Sequence, residues 1–410
     1  MVPIDFVLFA LTLAGVAIFH HRTLEVALSG LAVIVLYKLA LGTFPAGPGI
    51  DGLLTHLGHE WVIVVNLACL LTGFAILSRH FEKSHVPLAL PRLLPDDWKG
   101  CFALLGIVFV LSSFLDNIAA ALIGGAMAHT LFKKVHIGYL AAIVAASNAG
   151  GAGSVVGDTT TTMMWIDGVS PIDVLHAYAA SVVALFISGL VGAVQQHRYS
   201  PIMRDVRHQP HIDWTRVAIV IAMLAAAIAA NVVVNLYFTG LADLFPFIGV
   251  AVWMVIIATA PIRRPDWELL GEAGRGAVFL LALVLAASMM PVDRLPAASW
   301  VTAFGLGFVS SVFDNIPLTK LALEQGGYDW GVLAFAVGYG GSMIWFGSSA
   351  GVAITNLYPD ARSVGTWIRQ GWHVAVAYVV GFLVMIALLG WHPHEPHKPV
   401  ARPPASAPAH

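Results

Sequence analysis

Seven stretches of the chain run for about the length of a bilayer-spanning helix with almost no charge. They lie at 24–45, 60–79, 172–196, 214–237, 243–261, 276–291 and 371–391, and an eighth apolar segment opens the chain at 1–20. A helix of roughly 20 apolar residues matches the hydrocarbon thickness of a bilayer. Composition closes off a soluble reading. Asp, Glu, Lys and Arg make up 11% of the 410 residues, against about 25% in an ordinary soluble protein. Apolar residues make up 58%, and the mean hydropathy is +0.82. Too little charge is present to cover a water-facing surface, so lipid is the solvent for most of the chain. The fold class this implies is an all-α polytopic membrane protein. A formal net charge of −2 offers no footprint for nucleic acid, and Cys69 and Cys101, both in apolar runs, are too few for a disulfide framework or a thiolate metal site. The first segment carries Asp5 where a secretory signal has Lys or Arg, and reads as a retained helix. The Pro-, Ala- and His-rich stretch 392–410 is expected to be a disordered tail; His392, His394 and His397 suit weak metal binding at most.

Two longer apolar regions, 100–166 and 298–357, are interrupted by Gly, Asn, Asp, Ser and Thr and cannot be plain spanning helices. They contain a repeat. Ser112-Ser113-Phe114-Leu115-Asp116-Asn117-Ile118 is matched by Ser310-Ser311-Val312-Phe313-Asp314-Asn315-Ile316, and the glycines Gly150-Gly151…Gly157 recur with the same spacing as Gly340-Gly341…Gly347. Two matched pairs in the same order imply two copies of one unit. The expected division is scaffold helices over 1–98, a transport core over 99–200 with hairpin tip 116–117 and broken helix 148–162, and scaffold helices over 213–296. A second core follows over 297–391, with tip 314–315 and broken helix 339–351. If each Asp-Asn is the tip of a re-entrant helical hairpin and each glycine-rich stretch breaks one spanning helix, 16 of the 21 basic residues fall on one side. That bias obeys the positive-inside rule, and it makes the two copies inverted in topology. Inverted repeats with helices broken near the midplane are the architecture of secondary transporters.

Asp116, Asp158 and Asp314 lie deep in apolar surroundings. A carboxylate there costs about 2.5–3.5 kcal/mol even on the lenient insertion scale, so it must face a cavity or a partner. Asn117, Asn148, Thr159, Thr160, Asn315, Ser342 and Ser348 supply amides and hydroxyls nearby in sequence, and the glycines let backbone carbonyls turn inward. Such an oxygen-rich set suits a hard cation such as sodium. Burial penalises a bare carboxylate, so a proton competes with the cation for the same oxygen. A carboxylate that must carry one or the other across the membrane makes an exchanger, with no resident cofactor. Lys320, six residues after Asp314, is a charge partner either for Asp314 or for Glu324, standing in for a second cation, or else a side chain snorkelling to the interface. Lys38 reads as one half of a structural pair or as a snorkeller, and Asp243 as an outer helix end. Enzymes are disfavoured. The Gly-x-Gly-Asp of an intramembrane aspartyl protease fails at Val155, and the His-Glu-x-x-His of a zinc protease fails after His59-Glu60.

The segment 90–100, Leu-Pro-Arg-Leu-Leu-Pro-Asp-Asp-Trp-Lys-Gly, resembles the NhaD-type sodium/proton antiporters, as do the two Asp-Asn tips. So does the run 148–166, Asn-Ala-Gly-Gly-Ala-Gly-Ser-Val-Val-Gly-Asp-Thr-Thr-Thr-Thr-Met-Met-Trp-Ile. Gly340-Gly341-Ser342 followed by Gly347-Ser348-Ser349-Ala350-Gly351 is similar to a second signature of that family, and the resemblance spans roughly 85–390. It places the chain in the ion transporter superfamily, which also contains dicarboxylate, citrate and arsenite carriers. The resemblance implies a homodimer in the cell's inner (plasma) membrane, with scaffold domains in contact and transport domains that move like elevators. It also implies efflux of sodium or lithium driven by proton entry, with Asp116, Asn117, Asp158, Thr159, Asp314 and Asn315 near the ions. The rival expectation is a sodium-coupled symporter or an anion carrier of the same superfamily. Three acidic residues beside the site argue against an anion, and helix N-termini argue for one.

Overall fold

The computed structural model describes residues 3–19, 22–89, 94–203, 211–238, 241 and 244–394. Among them the chain is helical, without a β-strand. The first helices are α1 (Ile4–Ile18), α2 (Thr23–Ala40), α3 (Gly49–Lys83) and the single turn α4 (Val86–Ala89). Next come α5 (Trp98–Ser112), α6 (Asn117–Leu131), α7 (Ile137–Ala152), α8 (Thr159–Ile166), α9 (Pro171–Leu175) and α10 (Ala177–Tyr199). Then follow α11 (Trp214–Tyr237), α12 (Phe247–Thr259) and α13 (Leu269–Ser288). The last group is α14 (Trp300–Ser310), α15 (Asn315–Gln325), α16 (Trp330–Gly340), α17 (Ser349–Leu357), α18 (Val364–Gln370) and α19 (Trp372–Leu389). Among the described residues, six helical stretches are long and apolar enough to cross a membrane, and seven shorter apolar helices accompany them.

Packing sorts these helices into two bundles. One joins α1, α2 and α3 to α11, α12 and α13; the other joins α5–α10 to α14–α19, with α10 and α19 side by side and α7 and α16 buried along nearly their whole length. The bundles meet where α15 lies on α13, and where α3 touches α6 and α8. Both interrupted regions fold in the same local way. α5 and α6 form a hairpin that turns at 113–116, and α14 and α15 form one that turns at 311–314. α7 stops after Ala152 and resumes as α8, while α16 stops after Gly340 and resumes as α17.

The repeated residues explain that likeness. Gly150 of α7 lies against the backbone carbonyl of Phe109 in α5, and Gly340 of α16 lies against the carbonyl of Gly307 in α14; a Cβ at either position would overlap the facing oxygen. This close approach lets the repeated serines reach across. Ser112 Oγ donates to the Ser147 carbonyl at 2.5 Å, Ser113 Oγ to the Gly150 carbonyl at 3.2 Å, and Ser310 Oγ to the Val337 carbonyl at 2.7 Å. Each bond satisfies polar groups that have no water to turn to.

Several charges outside the central junction are paired. Lys38 is buried and bonds Asp5 Oδ1 and the Thr43 carbonyl, both at 2.9 Å, so it is a structural pair and not a snorkeller. At the basic end of the first bundle, Arg263 bonds Asp213 at 2.9 Å and Lys83 bonds Asp266 at 2.6 Å. Those cations hold both carboxyls below the usual carboxylate range. Their small support is therefore complete above the ordinary Asp value and fades as pH falls through the lowered one.

Two expectations need adjusting. α3 starts at Gly49, well before the expected span at 60–79, and its buried polar side chains meet partners there: His56 bonds Ser288 Oγ at 2.9 Å, and Glu60 Oε2 lies 3.0 Å from a cation described below in an ion pair that lacks hydrogen-bond geometry. The first residues of the expected tail are held in place. His392 N donates to Asp329 Oδ2 at 2.9 Å, His394 N to the Tyr328 carbonyl at 3.1 Å, and Trp330 Nε1 to the His394 carbonyl at 2.7 Å. The rest of the tail, with His397, lies outside the described residues, as do Asp243 and residues 90–93 of the first resembling segment.

Candidate functional site

Four helices begin at one place between the two hairpins and the two helix breaks. Asp116 occupies the N-cap of α6, Asp158 that of α8, Asp314 that of α15 and Ser348 that of α17. The N-terminus of a helix carries unpaired N–H groups and a partial positive charge. Carboxylates at three of the four starts are therefore placed where their charge is best tolerated in apolar surroundings. Asp158 stands between the other two, within electrostatic range of both Asp116 and Asp314.

A chain of amides and hydroxyls crosses the junction. Asn117 Nδ2 donates to Asn148 Oδ1 at 3.1 Å, and Asn148 Nδ2 donates to Ser342 Oγ at 2.9 Å and Ser348 Oγ at 3.1 Å. Asn148 thus ties the first hairpin and α7 to the break between α16 and α17. Replacing it with Ala leaves buried partners at 117 and 342 unsatisfied, at about 1–3 kcal/mol for each unsatisfied group, while Ser348 Oγ still accepts from Gly351 N at 3.3 Å. Asn148→Ala is expected to unfold several degrees lower in detergent; an unchanged transition would mean those partners find other bonds.

The carboxylates are not equivalent. Asp314 uses both oxygens: Oδ1 accepts from Ile316 N at 3.0 Å and Oδ2 from Ser349 Oγ at 3.3 Å. Asp158 Oδ1 accepts from Thr160 N at 3.1 Å, while its Oδ2 is buried with no hydrogen-bond partner. Facing that oxygen is Gly338 of α16, whose Cβ position is 3.6 Å away. By the glycine register Gly338 corresponds to Asn148, so one break presents an amide to its neighbour and the other leaves room beside a carboxylate. The threonine run divides as well. Thr161 Oγ1 bonds the carbonyls of Ser154 and Asp158, and Thr162 Oγ1 that of Val155, which stitches the turn, whereas Thr160 Oγ1 and Asn315 Nδ2 are buried without partners. Thr159 opens α8 beside Asp158, half-buried.

Of the residues singled out from sequence, Asn117, Asn148, Ser342 and Ser348 are joined directly, and Asp116, Asp158, Thr159, Thr160, Asp314 and Asn315 stand at the adjoining helix starts. Lys320 is elsewhere. It is 2% exposed and pairs with Glu324 Oε1 at 2.6 Å and Glu60 Oε2 at 3.0 Å, so the snorkelling reading fails, and its described ion pairs do not include Asp314. Sequence reasoning missed Gly338 and Glu60. A Glu one turn from a His inside an apolar run was the available signal for the second.

No protein-family model matches the chain. It is 28% identical over 292 residues to sodium/proton antiporter 1 of Arabidopsis thaliana, covering 61% of this chain and 49% of that protein. It is likewise 28% identical over 293 residues to sodium/proton antiporter 2 of the same plant, covering 61% and 67%. With the Na(+)/H(+) antiporter NhaD of Alkalimonas amylolytica it shares 26% over 342 residues, covering 69% and 67%. The chain thus spans about half the length of the first of these relatives and about two thirds of the others. The matches support an NhaD-like sodium/proton antiporter family for this chain.

Proposed function

We propose that the chain is a secondary transporter that exchanges sodium or lithium for protons across the cell's inner membrane, without a resident cofactor and without enzymatic activity. The observation that carries this reading is the buried Oδ2 of Asp158, which accepts no hydrogen bond, beside Thr160 and within electrostatic range of Asp116 and Asp314. An acceptor oxygen left bare in a membrane interior needs either a proton or a cation. Alternation between the two is ion exchange. Asp116, Asn117, Asn148, Thr159, Asp314, Asn315, Ser342 and Ser348 complete the site in this reading. The names of the relatives favour the same ions.

The wider architecture is part of the proposal. Matching hairpins, matching breaks and the charge bias of the loops favour two repeats of inverted topology. In this reading α1–α3 and α11–α13 form a static scaffold that joins two copies in a homodimer, and the hairpin bundle slides against it as an elevator. Cysteines at exposed Lys133 and Arg294 are then labelled from opposite sides of the membrane; labelling from one side would exclude the inverted arrangement.

A second reading is favoured by the four converging helix starts, which suit an anion: sodium-coupled uptake of a carboxylate or arsenite. Proteoliposomes with an imposed pH gradient separate the two. Sodium or lithium alone is expected to dissipate the gradient. No response to the cations, together with sodium-dependent uptake of citrate or arsenite, would move the chain to the second reading.

A further inference from the structure

Lys320 belongs to the second hairpin, but half of its ion pairing belongs to the other bundle. Glu324 is one turn further along α15 and travels with Lys320 in any movement of that helix. Glu60 sits on α3, and its side chain is 10% exposed where it meets the ammonium. The contact is reinforced on the scaffold side: one turn from Glu60, His56 bonds Ser288 at the end of α13, the helix on which α15 lies. An ion pair with both members this deeply buried resists separation, because parting leaves each charge alone in a low-dielectric medium. The Lys320–Glu324 pair survives a sliding of α15 on α13; the Lys320–Glu60 pair does not.

We propose that Glu60 and Lys320 form a latch, which holds the second hairpin against α3 in one end state of transport and opens each time the hairpin bundle moves. Glu324 keeps the ammonium paired while the latch is open, so the cost of opening falls on Glu60 alone. The latch rests on the moving-bundle reading above. It gives Lys320 a part in setting the rate of movement and none in holding the transported ion.

The test uses full-length protein in proteoliposomes. Glu60→Cys and Lys320→Cys are combined in a chain whose Cys69 and Cys101 are replaced by Ala, and the two thiols are bridged with a short bifunctional methanethiosulfonate. Sodium-driven proton exchange is expected to fall about tenfold or more on bridging and to return on reduction. In parallel, Lys320→Met is expected to change the maximal exchange rate about fivefold or more while the apparent sodium affinity stays within about twofold, since breaking a buried pair acts on the end state and not on the ion site. The exchanged pair Glu60→Lys with Lys320→Glu keeps the net charge of the cluster that Glu60, Lys320, Glu324 and Asp167 form and is expected to restore the rate, even where Lys320→Met folds poorly. Exchange that continues at full rate in the bridged protein would show that α15 does not part from α3 and would overturn the latch while sodium/proton exchange stands. Arrest on bridging combined with wild-type rates in Lys320→Met would keep the movement and remove the ion pair as its brake. A chain that moves no protons in response to cations at all would overturn the proposed function, and the latch with it.

Discussion

Asp158→Asn is expected to reduce sodium-driven proton exchange to the level of empty vesicles while the protein folds as before. The substitution is close to isosteric, and the Asn carbonyl can still accept the Thr160 N–H that Asp158 Oδ1 accepts at 3.1 Å. What changes is Oδ2, the buried oxygen without a partner. An amide nitrogen in its place neither takes up a proton nor ligates a cation. Stability is not expected to suffer, because a neutral side chain at 158 removes the cost of burying that charge and its repulsion with Asp116 and Asp314. Flux through reconstituted vesicles and thermal unfolding in detergent together decide the matter. Undiminished exchange would remove Asp158 from the site; loss of flux accompanied by loss of folding would make its role structural.

The second large effect is on stability. Gly150→Ala is expected to destabilise the protein by about 3 kcal/mol or more, and Gly340→Ala by a similar amount, at the upper end of what overpacking costs. At each position the added methyl overlaps a backbone carbonyl of the facing helix, Phe109 in one case and Gly307 in the other. A backbone atom has no alternative rotamer, so the helices themselves must separate, and the serine bonds beside them are stretched with them. The same change at Gly106 of α5 or Gly305 of α14 meets open space. There Ala is expected to be neutral or to stabilise by up to about 1 kcal/mol through helix propensity. Chemical unfolding of the four variants gives opposite signs if close approach is the reason for the glycines. Four similar small shifts would mean that it is not.

Much of the helical plan was legible because its causes are local or compositional. The count of apolar residues is independent of what they pack against, so the membrane setting follows from the sequence. The Ser-Ser tips and glycine pairs were legible as a repeat, and the structure places them at two hairpin turns and two helix breaks. Residues at those points also lie together in the fold, where Asn117, Asn148, Ser342 and Ser348 bond one another. The start of α3 was not legible. Thr55, His56, His59 and Glu60 make that stretch look like a loop until Ser288 and Lys320 are seen beside it.

Partnership between remote residues was the part that only the tertiary structure decided. Sequence alone put three aspartates in lipid and left their roles alike; the fold gives Asp314 donors for both oxygens and Asp158 a donor for only one. It also turned Lys320 away from the site and onto Glu60. The physical reason is the same in each case. What a residue loses on leaving water is written in its own chemistry, whereas what it gains in return depends on which distant group the fold brings within about 3 Å of it.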